Sequence, residues 1–217
     1  MKKLLLLVLF LTTNLFVNAQ VSWSVRGSIF TNNTSCLGSR YGLSLECPIT
    51  SHFSIQPALY LHFKFFEETN SYTKTVTDDS GKSVKSHVDR VHDCKETYLD
   101  LPINALFRIP LRKNNSILLA VGPYLGYALG GKTKYTRTVD GVSTVKKYGT
   151  FDKDGMGLQR FDYGLNYEAH LELGHFVFGP YMEIGIASLD DNELSNPAIY
   201  LFTRHNFACG FELGYKF

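Results

Sequence analysis

Charged and histidine side chains recur at two-residue spacing in several segments, and they are the residues that could do chemistry. Glu168, His170 and Glu172 form the densest such set. Residues two apart share one face of a β-strand, so these side chains could converge on a metal ion. The set is rich in carboxylates and lacks a Cys or a second nearby His, which argues against a specific zinc site. A buried, paired histidine is the simpler interpretation, and we expect no cofactor.

Strands must position these side chains, because the chain after residue 20 alternates apolar and polar residues over segments of about ten residues. Aromatic residues and glycines are frequent in these segments, as in membrane barrels. We predict eight strands, at Val21–Phe30, Arg40–Ile49, Phe53–Phe66, Lys95–Ile109, Ser116–Lys132, Arg160–Leu173, Phe176–Leu189 and Phe202–Phe217.

The connections between these segments alternate in length. Residues 50–52, 110–115 and 174–175 form short turns, whereas 31–39, 67–94, 133–159 and 190–201 form medium or long polar loops. The segment 133–159 could extend as a hairpin above the membrane. Short turns on one side and long loops on the other are typical of an outer-membrane barrel. The sequence therefore predicts an all-β, eight-stranded antiparallel up-and-down transmembrane β-barrel in the bacterial outer membrane.

The two faces of each segment differ in chemistry. One face carries large aromatic and branched side chains, and the other mixes glycine and alanine with charges of both signs. A narrow, filled lumen suits the second face, and eight strands leave little room for a channel. We expect a salt-bridged plug rather than an ion path, since buried charges must be paired. Its predicted polar network comprises Arg26, Glu46, Lys64, Asp100, Arg108, Glu168, His170, Glu172, Glu183 and Glu212.

Alternation alone leaves the opposite orientation open. In a soluble, secreted barrel the apolar face would point inward around a ligand. Four prolines, Pro57, Pro102, Pro123 and Pro180, also fall inside the predicted strands. Proline removes a ladder donor, so we expect bulges or local breaks at these positions.

The first residues predict export. Lys2 and Lys3 precede the apolar run Leu4–Leu11, and Val17-Asn18-Ala19 offers a cleavage site. This apolar run is too short for a transmembrane helix. We therefore expect a signal peptide at 1–19 and a barrel domain at 20–217. Lys2 and Lys3 account for the excess of 22 basic over 20 acidic residues, so the exported chain is nearly neutral and not suited to nucleic acid.

Several motifs follow one another in an order known from one family. Tyr98-Leu99-Asp100-Leu101-Pro102, Gly122-Pro123-Tyr124, Phe161-Asp162-Tyr163-Gly164-Leu165 and Gly179-Pro180-Tyr181 stand in this order before the ending Gly210–Phe217. This order resembles PorT-like outer-membrane β-barrel proteins of Gram-negative bacteria, and the resemblance is strongest from residue 95 onward. It implies a small barrel. The founding member acts in protein secretion, a role that nothing in these strands encodes.

The expected partners follow from this architecture. The outward face should contact outer-membrane lipid, and the terminal Phe217 resembles the signal read by barrel-assembly machinery. The external loops could bind an extracellular partner, since loops often carry function on rigid scaffolds, and a periplasmic protein could dock to the barrel instead. A disulfide between Cys36 and Cys94 is plausible at the external end, because passage through the periplasm permits oxidation.

An enzyme acting on outer-membrane lipid is the competing hypothesis. Ser195 and His205 both lie near the last external loop. Neither a nucleophile motif nor an acid partner accompanies them, and His205 is better explained as an interfacial strand residue. We therefore expect a structural or binding protein rather than an enzyme.

Overall fold

The computed structural model describes residues 21–32, 36–77, 83–112, 114–152, 157–188 and 205–217. None of these residues belongs to a helix long and apolar enough to cross a membrane. The described strands are β1 (Ser22–Asn32), β2 (Leu37–Pro48), β3 (Phe53–Thr77), β4 (Ser83–Pro110), β5 (Asn115–Val139), β6 (Val142–Gly149), β7 (Phe161–Leu173), β8 (Phe176–Gly185) and β9 (Phe207–Lys216).

The strands pair antiparallel around a closed ring. Each pairs with its neighbour in the order β1, β2, β3, β4, β5, β7, β8 and β9, and β9 returns to β1. β6 pairs with β5 beyond the end of β7 and extends the sheet above the ring. The all-β, antiparallel prediction is confirmed. Short turns are also found at 49–52 and 174–175, and the Leu111 N–H donates to the Asn115 carbonyl where β4 leads into β5.

Burial alternates along the ring strands with polar groups inside. On β5, Leu119, Val121 and Leu125 are exposed, whereas Ala120 and Tyr124 between them are buried. A soluble barrel would show the reverse, because its apolar groups would avoid water. An apolar exterior is stable only against lipid, so the soluble alternative is wrong.

Two of the predicted loops contain paired strands. Residues 67–77 and 83–94 are strand rather than loop, since β3 and β4 continue as one ladder from Phe53 to the pair Thr77 and Ser83. The segment after Lys132 forms the predicted hairpin, in which Val139 pairs with Val142. Its turn places Asp140 at φ 49° and Gly141 at φ 86°. Two residues with positive φ make the tight turn that matches strand twist.

The prolines interrupt the ladders without shifting them. Pairing stops between Ser44 and Cys47 opposite Pro57, and it resumes in the same register. Similar gaps occur around Pro102, Pro123 and Pro180. The local breaks expected from the missing N–H are therefore present. The change of register in the β4–β5 ladder lies elsewhere, between Thr97 and Tyr98.

Some predictions cannot be compared with this structure. The predicted signal peptide at 1–19 lies outside the described residues, as do Ser195 and the loop 190–201. β8 ends at Gly185 rather than at Leu189. At the end of the chain, the Phe217 N–H donates to the Trp23 carbonyl, and the two rings stack 4.0 Å apart, at the seam where β9 meets β1.

Candidate functional site

The inner end of the lumen, near the short turns, holds a closed set of four charged groups. Arg108 Nη2 donates to Glu46 Oε1 at 2.8 Å and also pairs with Glu172. Lys216 Nζ donates to the same two carboxylates, at 2.7 Å to Glu46 and 3.1 Å to Glu172. Two cations thus balance two anions, as a low-dielectric interior requires.

The middle of the lumen is built around two arginines. Arg26 Nη1 donates to Glu168 at 2.9 Å and to Glu212 at 3.0 Å. Arg40 is wholly buried and reaches Glu183 at 2.5 Å and Glu212 at 2.8 Å. Glu212 joins the two arginines into one network, since both donate to it.

Two tyrosine rings enclose Arg40. Its guanidinium carbon lies 4.2 Å from the Tyr60 ring centroid and 3.4 Å from that of Tyr181. A planar guanidinium stacks on aromatic faces more readily than an ammonium does. Space for this arrangement comes from small residues on the same face. A Cβ on Gly42 would lie 2.6 Å from Tyr60 Cδ1 and 2.1 Å from the Leu59 carbonyl oxygen.

The outer end of the lumen is less completely paired. His62 Nδ1 lies 2.5 Å from Asp100 Oδ2, and Lys64 Nζ lies 3.9 Å from the same oxygen. Asp162 accepts hydrogen bonds from Tyr124 and Asn206 on one oxygen. Within the described part of the chain, Lys64 Nζ, Asp100 Oδ1 and Asp162 Oδ1 are buried and form no hydrogen bond.

A folded-back segment covers this outer end. Phe151 packs edge-on against Tyr98, with ring centroids 6.0 Å apart, and Arg160 lies over the Phe151 ring at 5.2 Å. Thr150 beside it is fully buried and hydrogen-bonds to Thr133 at 2.9 Å. Thr150 and Phe151, which directly follow β6, therefore pack over the outer end of the lumen.

All the residues predicted for the polar network point into the lumen. Arg108 is half-buried and the rest are buried. The sequence missed Arg40, which stands at the centre of the network. The predicted second strand begins at Arg40, whereas β2 begins at Leu37. The parity that assigned Glu46 to the lumen also points Arg40 inward, since they lie six residues apart on one strand.

The candidate metal ligands lie in two different groups of the structure. His170 lies near Glu168, at 3.6 Å, and near Glu212, at 3.8 Å, whereas Glu172 belongs to the inner set with Arg108. Glu168, His170 and Glu172 therefore do not converge on one site. A second group combines His62, Asp100 and Glu183. Glu183, Glu168 and Glu212 are already neutralised by arginines, which compete with a metal ion for the same oxygens.

The remaining candidates lie near the external end. His205 Nδ1 lies 2.9 Å from the Ala187 carbonyl oxygen, so this ring is held by the backbone. Cys36 and Cys94 line one cavity, and Cys94 Sγ lies 3.3 Å from Thr133 Oγ1. The structure carries no bridge between the two cysteines, and their disulfide stays a prediction.

Comparison with known proteins gives structural and family matches. Two crystal structures of Ail, the attachment invasion locus protein of Yersinia pestis, are similar to this chain. One matches at 15% identity and a TM-score of 0.38, covering 91% of this chain and 97% of Ail. The other is a complex with the heparin analogue sucrose octasulfate. It matches at 13% identity and a TM-score of 0.39, covering 92% of this chain and 99% of Ail. No curated protein matches the sequence.

The family match covers most of the chain. The model of the outer membrane protein beta-barrel domain matches residues 6–191. This match agrees with the apolar exterior, with the predicted outer-membrane location and with the prediction of a non-enzymatic protein. The chain therefore belongs to the family of outer membrane protein beta-barrel domains.

Proposed function

We propose that this protein is an eight-stranded, non-conducting barrel that holds a rigid β-sheet above the outer membrane as a binding platform. The observation that carries this proposal is the external sheet, formed by the outer parts of β3, β4 and β5 together with β6. β3 and β4 pair up to Thr77 and Ser83, β4 pairs with β5 up to Val88 and Val139, and β5 pairs with β6.

Side-chain contacts support an ordered sheet. Arg90 donates to the Tyr72 hydroxyl at 2.5 Å, and its guanidinium lies 4.9 Å from the ring centroid. Ser71 donates to Asp89 at 2.6 Å. Val88 is buried although it lies far from the lumen. An ordered surface loses little conformational entropy on binding, which favours affinity per contact.

The side chains that fill the lumen support the proposal that the barrel is non-conducting. Paired arginines and tyrosines occupy its middle, and Phe151 covers its outer end. Eight strands enclose only enough space for such side chains. The lumen is therefore proposed as a stabilising plug, and recognition is assigned to the external sheet. Resemblance to PorT-like proteins, a periplasmic partner and recognition of Phe217 by assembly machinery remain further proposals.

The test has two readouts. In planar lipid bilayers, the refolded protein should give no stepwise conductance above the detergent control. Cells displaying the protein should adhere to at least one surface coated with collagen, fibronectin or heparin more than cells lacking it. A variant in which Asn-Gly joins Thr69 directly to Val91, which are paired in the ladder, should lose this adhesion.

The shortened variant needs a folding control. Its mobility on gels before and after boiling should match that of the intact barrel, since the ring strands are retained. Stable ion conductance would contradict the plug. Undiminished adhesion by the folded, shortened variant would contradict the binding platform, as would the absence of adhesion to all three surfaces.

A further inference from the structure

Four lysines gather on the outward face of the external sheet, close to its base. Lys95 on β4 pairs directly with Lys132 on β5, and Lys134 on β5 pairs directly with Lys147 on β6. All four are exposed. We call Lys95, Lys132, Lys134 and Lys147 the lysine patch.

This arrangement is unfavourable for the isolated sheet. Like charges directly opposite each other on neighbouring strands are destabilising. Asp93 lies 4.0 Å from Lys134, and Glu67 pairs with Asp93 at the edge of the patch. Among the described residues, Lys95, Lys132 and Lys147 have no carboxylate oxygen within 4.0 Å. An external anion would offset this repulsion.

The patch continues the lipid-facing surface. Leu99 on β4 and Tyr127 on β5 pair with each other, share the outward face and are exposed. Lys95 lies four residues beyond Leu99, which on a tilted strand is a height of about 10 Å. That height places the ammonium groups above the hydrocarbon boundary, where the charged headgroups of the outer leaflet lie.

A cavity at this level provides room for such a headgroup. Its volume is about 1000 Å³, and its lining includes all four lysines together with Phe65 and Asp152. Lys95 also lies 5.8 Å from the Phe65 ring centroid, which holds its ammonium at the apolar boundary. Three acidic residues, Glu67, Asp93 and Asp152, also line the cavity, so its lining carries a small excess of positive charge beside the rings of Phe65 and Phe66.

We propose that the lysine patch binds the phosphate groups of outer-leaflet lipid and fixes the height of the external sheet above the membrane. A phosphate carries up to two negative charges, so it can accept hydrogen bonds from both members of a lysine pair. Lysines further from the membrane, such as Lys74 and Lys85 near the hairpin tip, take no part in this contact.

The probe for this test is bisphosphorylated lipid A, compared with the same lipid after removal of both phosphates. Binding to the protein in maltoside micelles is followed by native mass spectrometry over a range of lipid concentrations. The protein should bind the phosphorylated form roughly a thousandfold more tightly, since each of the four lysines near a charged surface contributes about 1 kcal/mol. Raising the salt concentration should reduce that preference, because these are exposed charges.

Two variants with equal loss of charge separate the patch from general electrostatics. Lys95→Gln combined with Lys132→Gln removes one of the two lysine pairs and should reduce the preference for phosphorylated lipid A about thirtyfold. Lys74→Gln combined with Lys85→Gln should leave it unchanged. Because all four side chains are exposed, both variants should retain the heat-dependent mobility of the folded barrel.

Three outcomes would overturn the proposal. The first is equal binding of both forms of lipid A by the unaltered protein. The second is an equal effect of the two double variants, which would assign the preference to net charge. The third is tighter patch-dependent binding of a soluble heparin fragment than of lipid A, which would assign the patch to a sulfated polysaccharide.

Discussion

Charged side chains are paired more closely at the inner end of the lumen than at the outer end. At the inner end Arg108, Lys216, Glu46 and Glu172 all meet an opposite charge within 3.1 Å. At the outer end Lys64 comes no closer than 3.9 Å to Asp100. Burial is deeper at the outer end, where Asp100 and Asp162 are fully enclosed, although pairing there is weaker. Burial of charge and compensation of charge are thus separate features of this interior.

This difference assigns different roles to the two ends. A paired network stabilises the barrel because removing one member leaves a buried charge without compensation. Polar atoms without partners contribute little and carry a desolvation cost. We therefore expect stability to depend on the inner and middle sets, and we expect the outer end to tolerate substitution. The following predictions test that gradient through the free energy of unfolding in urea, measured on the barrel refolded into lipid vesicles.

Arg40→Met should have the largest effect, a loss of about 3–5 kcal/mol in the free energy of unfolding. The substitution leaves Glu183 and Glu212 buried with fewer counter-charges and removes the planar guanidinium from between the Tyr60 and Tyr181 rings. Arg40→Lys keeps the charge but loses the planar stack. Its loss in the free energy of unfolding should therefore lie between zero and the loss expected for Arg40→Met. A loss below about 1 kcal/mol for Arg40→Met would contradict the central role of this arginine.

Glu212→Gln should have an intermediate effect, a loss of about 2–3 kcal/mol. Glu212 accepts from Arg26 and Arg40, and the Tyr60 hydroxyl donates to it at 3.3 Å. Both arginines retain another carboxylate, Glu168 or Glu183, so the network is weakened but not broken. Glu67→Gln, on the exposed external sheet, is the matched control and should change the free energy of unfolding by less than about 0.5 kcal/mol.

The sequence predicted the content of the lumen better than its pairing. Strand parity is a local property with a period of two, so Glu168 and Asp100 could be assigned inward without knowing the fold. Which charges meet depends on contacts across the ring, such as that between Arg40 and Glu183, 143 residues apart in sequence. No local pattern specifies such a contact, and Arg40 was missed because a strand boundary was drawn at that residue.

The outer halves of β3 and β4 were missed for a different reason. Above the membrane both faces of a strand meet water, so the alternation of apolar and polar residues disappears. Thr69, Thr73 and Thr75 are β-branched and compatible with a strand. The polar composition of the outer halves of β3 and β4, however, is typical of a loop. Backbone pairing with β4 up to Ser83 determines the structure here, and composition does not report it.

Lys64→Met should have the smallest effect, a change within about 1 kcal/mol in either direction. An ammonium group loses several kcal/mol of hydration on burial. Here this cost is offset in part by Asp100 at 3.9 Å, by the Tyr98 ring at 4.5 Å and by the attraction of the more distant carboxylates of Glu96 and Asp162. The methionine removes the cost and fills most of the same volume, while Asp100 keeps its contact with His62 at 2.5 Å. A loss as large as that expected for Arg40→Met would mean that the outer end is compensated as fully as the inner end, and the contrast between them would not hold.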